Sequence, residues 1–186
     1  MRKHSSMQKW KTMLIMGIFL LIAIVLIIVI FATNSGPKKY SELIAKYSKN
    51  YSVDEALVYA VIKCESNFDT FAVSSAGACG LMQLMPDTAQ EIAKKLHVRF
   101  NANDLFKPET NIMFGCYYLG YLQSLYSNMK CVLSAYNAGL GNVNLWLSNS
   151  EYSDDGVTLK YIPFKETRDY VDNVTKYIEK YKNSLQ

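Results

Sequence analysis

The chain has 186 residues, half of them hydrophobic, with 20 basic and 16 acidic side chains. Arg2, Lys3, Lys9 and Lys11 supply the whole basic excess and residues 1–32 contain no acid, so the rest is charge-balanced and lacks the basic face of a nucleic-acid binder. Four cysteines without a C-x-x-C pair, and only two histidines, argue against a zinc site, and nothing in the composition calls for a cofactor.

Residues 1–12 read as a basic segment. Residues 13–32, MLIMGIFLLIAIVLIIVIFA, carry no charge and are long enough to cross a bilayer as a helix. A secretory signal peptide has a shorter apolar run followed by a small-residue cleavage site. No such site follows here, and no cysteine stands nearby to take lipid, so the segment reads as an uncleaved, single-pass transmembrane anchor. The basic flank stays cytoplasmic by the positive-inside rule. Lys38 and Lys39 weaken that bias without reversing it, and the C-terminal part faces outward. Residues 33–39 form a short polar linker, which keeps the domain at 40–186 near the membrane surface.

In that domain the spacing predicts helices and no strong strand, so the class is mainly α. A short helix covers Tyr40 to Lys49. Ser52-Val53-Asp54-Glu55 has the pattern of a capping box and opens a helix to about Ser66, with Val58, Val61, Ile62 and Glu65 on one face. A small-residue loop, Ser74 to Gly80, follows. Pro86 and Pro108 suit the first turns of helices to about Leu96 and Tyr126. An apolar helix spans about Met129 to Ala138, and Gly139 ends it. A short helix near Asn142–Leu147, an irregular stretch at 149–163 and a last helix from about Lys165 to Asn183 complete the domain. Fourteen tyrosines offer rings that pack and hydroxyls that hydrogen-bond, which suits a sugar surface and a core alike.

Glu65 stands at the end of an apolar helical face. Desolvation there disfavours the carboxylate and raises the pKa, and a carboxylic acid held protonated near neutral pH can donate to a leaving oxygen, as glycoside cleavage requires. Glycosidases usually use two carboxylates. Asp69 is the local partner in sequence, but it lies beyond the helix end, so its direction is open.

Further stretches carry a resemblance. Val61-Ile62-Lys63-Cys64-Glu65-Ser66-Asn67-Phe68 is followed by Gly77-Ala78-Cys79-Gly80-Leu81-Met82-Gln83-Leu84-Met85-Pro86. Ala135-Tyr136-Asn137-Ala138-Gly139 comes next, and then Ile162-Pro163-Phe164-Lys165-Glu166-Thr167-Arg168-Asp169-Tyr170-Val171. Asn111-Ile112, Gly115 and Tyr118-Leu119 fit the helix between them. In this order, over about residues 42–182, the chain resembles the lytic transglycosylases of the soluble-lytic-transglycosylase (SLT) type, which are related in fold to goose-type lysozyme.

The resemblance implies a lysozyme-like domain acting on the glycan strands of peptidoglycan. It makes Glu65 the single catalytic acid/base. Glu65 protonates the oxygen between N-acetylmuramic acid and N-acetylglucosamine, then takes the proton of the muramic C6 hydroxyl as that hydroxyl attacks C1. The product is a 1,6-anhydro sugar. The intramolecular attack has a high effective concentration, which suits the absence of a second carboxylate. Ser66, Met82, Gln83, Tyr136, Asn137, Glu166 and Tyr170 are then expected around the sugar. Gln83 would offer donor and acceptor to an N-acetyl group, Asn137 would brace the turn before Gly139, and Glu166 and Tyr170 would close the cleft. Leu84 and Met85 are expected in the core. Cys64 and Cys79 depart from the family pattern, and a bridge between them would tie the loop to the catalytic helix. Two alternatives are a hydrolytic muramidase with the same acid and a non-catalytic wall-binding assembly factor. A role as local opener of the wall within a larger envelope complex is compatible with each reading, and no residue names such a partner.

Overall fold

The computed structural model describes residues 13–26 and 39–185, in two compact units, Met1–Lys39 and Tyr40–Gln186. In the first, residues 13–26 form helix α1, whose apolar side chains are exposed throughout. At roughly 1.5 Å per residue α1 covers about 21 Å, short of a bilayer core of about 30 Å. Among the described residues no helix is long and apolar enough to cross a membrane. Residues 27–32 of the expected span, the basic segment 1–12 and nearly all of the linker lie outside the described residues.

The second unit is helical: α2 (Ser41–Tyr51), α3 (Glu55–Ser66), α4 (Pro86–Lys95), a 3-10 turn η1 (Ala102–Phe106), α5 (Pro108–Leu125), α6 (Met129–Ala138), α7 (Leu140–Leu147) and α8 (Lys165–Leu185). Prolines occupy the first turns of α4 and α5. Gly139, at φ 87°, separates α6 from α7 in a conformation that a side chain would resist. Strand-like pairing among the described residues is limited to two isolated bridges, Val73 with Cys79 and Cys79 with Leu84.

Helix α3 runs through the centre. Ala56 to Ile62 are buried without a break, so the helix is covered on all sides and not along one stripe as its spacing predicts. Its largest neighbour is α8, while α2 lies on α5. The start of α3 also departs from expectation. Ser52 does not cap it, because it sits at φ 55° and closes α2 in a left-handed turn. Asp54 takes the role, its carboxylate accepting from the Leu57 N–H at 3.1 Å. The short reversal between α2 and α3 needs Ser52 in that turn, which removes it from capping distance.

The core falls into two clusters. The main one gathers α2, α3, α5, α6 and α8. A smaller one holds Leu84, Ala89, Ile92, Ala93, Leu105 and Phe114 under α4 and η1. Tyr118 and Tyr136 pack against both clusters, and the loop from Gly77 to Met85 closes over this seam.

Candidate active site

Glu65 occupies the last turn of α3, partly buried, at the point where the helix emerges from the core. Its pKa is raised to about 7. Burial is the main cause. A polar contact from Tyr170 pulls the other way, and the negative charge of Glu166 adds to the rise. The Tyr170 hydroxyl is buried and makes no hydrogen bond of full geometry, so it bears on Glu65 as a nearby dipole. Tyr136 and Tyr170 are both held far above the ordinary phenol range, first by burial and then by the Glu65 charge. Two protonated phenols and one carboxyl poised near neutrality therefore share one site. Asp69 plays no part in this group; its Oδ1 accepts from the Phe71 N–H at 2.9 Å.

The loop beside Glu65 is held by a side chain whose role the sequence reading missed. Asn111, buried in α5, donates to the carbonyls of Cys79 and Leu105, both at 2.9 Å, and accepts from the Met82 N–H at 2.7 Å. One amide thus satisfies three buried backbone groups. Gly80 makes this approach feasible. It sits at φ 77°, and a Cβ there would lie 2.2 Å from the Leu105 carbonyl oxygen and 2.4 Å from Asn111 Nδ2. A polar residue immediately before the apolar run Ile112–Cys116 was the available signal, since a buried amide must find partners.

The expected sugar-contacting residues divide. Ser66 is spent on the fold: its hydroxyl donates to the Leu81 carbonyl at 2.7 Å and tethers the loop to α3. Met82 is fully buried and fills the space over Gly115, where a Cβ would lie 2.2 Å from its sulfur. Its side chain cannot line a sugar site, which corrects the expectation. Met85 is corrected in the opposite sense, being 41 % exposed on a groove and not in the core, whereas Leu84 is buried as expected.

Gln83 is in the left-handed region at φ 46°, an uncommon backbone state for a residue with a side chain. Its Nε2 donates to the Ala72 and Gly80 carbonyls at 3.0 and 2.9 Å. Both amide hydrogens are thereby used, and only the amide oxygen is left for a ligand. Tyr136 donates to the Met82 carbonyl at 2.8 Å and so does not donate to Glu65. Asn137 Oδ1 accepts from Thr167 at 2.7 Å, joining the end of α6 to the start of α8.

Two grooves meet at Asn137 and Ala138. One, of about 230 Å³, is lined by Gln83, Leu84, Met85, Thr88, Tyr118 and Tyr136 with the α6–α7 turn. The other, of about 530 Å³, runs past Pro163, Phe164, Lys165 and Glu166. Glu166 is exposed on its wall, and Arg168 fixes the approach to α8 by donating to the Ile162 and Pro163 carbonyls at 2.5 and 2.9 Å.

All four cysteines are free thiols, and the Cys64–Cys79 bridge is not formed. Cys79 Sγ donates instead to the Gly77 carbonyl at 3.3 Å. Burial, then the Glu65 charge, raises Cys64 to about 11, so it stays a thiol at neutral pH. Among the described residues no group of three or more His, Cys, Asp or Glu is placed to hold a metal ion.

Comparison with known proteins agrees with this geometry. Residues 42–157 match the model of the transglycosylase SLT domain. The soluble lytic murein transglycosylase of Salmonella typhimurium is 37 % identical over 153 residues, 80 % of this chain and 24 % of that protein. The membrane-bound lytic murein transglycosylase C of Edwardsiella ictaluri is 38 % identical over 116 residues, 56 % of this chain and 32 % of that one. The crystal structure of the 70 kDa soluble lytic transglycosylase of Escherichia coli superposes with a TM-score of 0.69 at 34 % identity, covering 78 % of this chain and 24 % of that one. The chain therefore spans about a quarter to a third of the length of these proteins.

Proposed function

The chain belongs to the transglycosylase SLT family, and from that premise we propose that it is a peptidoglycan lytic transglycosylase with Glu65 as its single acid/base. The observation that carries the reading is a carboxyl group raised to about 7 by burial, at the end of the central helix and close enough for its charge to act on Tyr136, which lines a groove built by the family's own motifs. Such a group is protonated often enough near neutral pH to act as general acid, and its conjugate base is then strong enough to accept a proton.

In this reading Glu65 gives its proton to the glycosidic oxygen and C1 develops positive charge. The resulting carboxylate takes the proton of the muramic C6 hydroxyl as it closes on C1. The departing chain keeps the first proton and Glu65 regains the second, so the enzyme returns unchanged and no water is consumed. Glu166 keeps the Glu65 carboxyl reluctant to ionise, and the Tyr170 dipole steadies the carboxylate once it forms. Gln83 contributes its amide oxygen, which accepts an acetamido N–H of the substrate. Met85 and Tyr118 supply apolar surface to the sugar rings.

The proposal extends to location. Residues 13–32, of which 13–26 form an exposed apolar helix, anchor the chain in the membrane, with residues 1–12 on the cytoplasmic side and residues 40–186 outside. The support is the uncharged run and its basic flank, together with the likeness to a protein described as membrane-bound.

The test is product analysis. Peptidoglycan sacculi digested with the wild-type protein should yield 1,6-anhydromuropeptides, each one water lighter than a hydrolytic product, and Glu65→Gln should yield none. Reducing muropeptides alone would assign hydrolysis instead, and undiminished products from Glu65→Gln would remove Glu65 from the chemistry.

A further inference from the structure

A third groove, of about 220 Å³, adjoins the candidate site. It lies between α4 and α5, with Glu91 and Lys95 on one side and Tyr117 and Tyr121 on the other. Thr88 and Tyr118 line both this groove and the one at Gln83 and Tyr136, so the two grooves adjoin and share walls. Three tyrosine rings line the groove between α4 and α5. Tyr118 packs on Tyr136 at 5.5 Å between ring centroids. Tyr117 is held edge-on by Tyr51 at 5.6 Å. Tyr117 and Tyr121, one helical turn apart, share a face of α5, and the Lys95 ammonium stands 5.7 Å from the Tyr121 ring. Tyr117 and Tyr118 are braced by neighbouring rings, so a ligand need not order them at the full entropic cost.

We propose that this tyrosine-lined groove is an additional glycan subsite, which takes further sugars of the strand held at Gln83 and Tyr136 and so favours long strands over short ones. The inference rests on the functional reading above and names which part of the substrate the enzyme measures. A glycan strand is linear, so a chain seated in the first groove continues into a groove that shares its walls. Sugar rings offer C–H faces to Tyr117 and Tyr121. Thr88 and Glu91 offer partners for hydroxyl and acetamido groups, and Lys95 is a cation for a muramic carboxylate. A stem peptide branches off the strand and has no comparable reason to pass from one groove to the other.

The probe is a series of peptide-free oligosaccharides of alternating N-acetylglucosamine and N-acetylmuramic acid, bound to full-length Glu65→Gln protein in detergent. Long members should bind more tightly than short ones. Adding Tyr121→Ala should weaken the long members about three- to tenfold, the scale of one aromatic contact, and leave the short ones within about twofold. Tyr121→Phe, which keeps the ring, should restore the length dependence. Lys95→Glu, at an exposed position that tolerates change, should weaken long strands selectively without altering the thermal midpoint. Affinity independent of length, or equal weakening of short and long members, would overturn the subsite. Length dependence seen only with peptide-bearing strands would overturn it in favour of a peptide groove. Failure of the catalytic reading shows separately, as cleavage by Glu65→Gln, because this comparison reads binding and not turnover.

Discussion

The Tyr136 hydroxyl lies 2.8 Å from the Met82 carbonyl oxygen, and this bond holds a ring that lines the groove at Gln83 and feels the Glu65 charge. Tyr136 thus stands near the carboxyl without donating to it, and its role is positional. Tyr136→Phe keeps the ring and leaves a buried carbonyl short of its partner, at a cost of about 1–3 kcal/mol. The expected result is a lower thermal midpoint with the alkaline limb of activity still near 7. A limb that moved well below neutrality would mean that the hydroxyl, not the ring, sets the Glu65 environment.

The pH profile of activity follows from Glu65. The acid must be protonated to begin the reaction, so kcat/KM on purified glycan strands should be lost as pH rises through about 7. Stability runs with the same proton. The folded pKa is about 7 against an ordinary value of 4.5, so the folded state binds the proton more tightly between these values. Stability therefore falls as pH rises through that window and levels off above it. Glu65→Gln removes the dependence. It should be more stable than wild type at pH 8 by an amount on the order of 2–3 kcal/mol, with the gap closing toward pH 4. Thermal melts of both proteins across this range read the sign directly.

Glu166 offers a smaller perturbation of the same group. Its charge raises the Glu65 pKa, so Glu166→Gln should move the alkaline limb of activity toward acid. Because Glu166 is exposed, added salt should shrink the effect in the wild type. A limb unmoved at low ionic strength would leave burial as the main cause without help from this charge.

What the sequence could disclose depended on whether the cause was local. Pro86, Pro108 and Gly139 act through their own backbones, and the helices they bound are close to where the chain predicts them. Ser52 carried an equally local signal that the turn between α2 and α3 overrode, leaving the cap to Asp54. The turn η1 was missed although Asn101 and Asp104 form a capping box at its start; a 3-10 segment this short leaves no apolar period to read. Glu65 was legible from its place at the end of an apolar face, but the groups that bear on its charge, Glu166 and Tyr170, lie about 100 residues further along. Met82 and Met85 were assigned to opposite surroundings because loops have no periodicity. Which methionine turns inward is decided by the positive φ of Gly80 and Gln83 and by the grip of Asn111.

That grip can be tested without touching the groove. Asn111→Ala strips partners from the Met82 N–H and from the Cys79 and Leu105 carbonyls at once, a loss of about 3–5 kcal/mol for a broken buried network. Asn111→Asp should be no better, because a carboxylate cannot donate to either carbonyl. Chemical denaturation should give a lower midpoint for both variants. Wild-type stability in Asn111→Ala would mean that the loop from Cys79 to Met82 is held by something other than this amide.

The two methionines give the sharpest separation of fold from binding. Met82 has no exposed surface, so Met82→Ala should open a cavity and cost about 2–5 kcal/mol. Met85 is 41 % exposed on the groove that holds Gln83 and Tyr136, so Met85→Ala should leave the thermal midpoint within a degree or two. Its effect should instead fall on KM for glycan strands, raising it about three- to tenfold for the lost apolar contact with a sugar ring. The two effects belong to residues three positions apart in one loop, and a common fall in stability would place Met85 back in the core. If Met85→Ala lowered kcat with KM unchanged, the side chain would be acting on the transition state, and the sugar it touches would be the one whose C1 reacts.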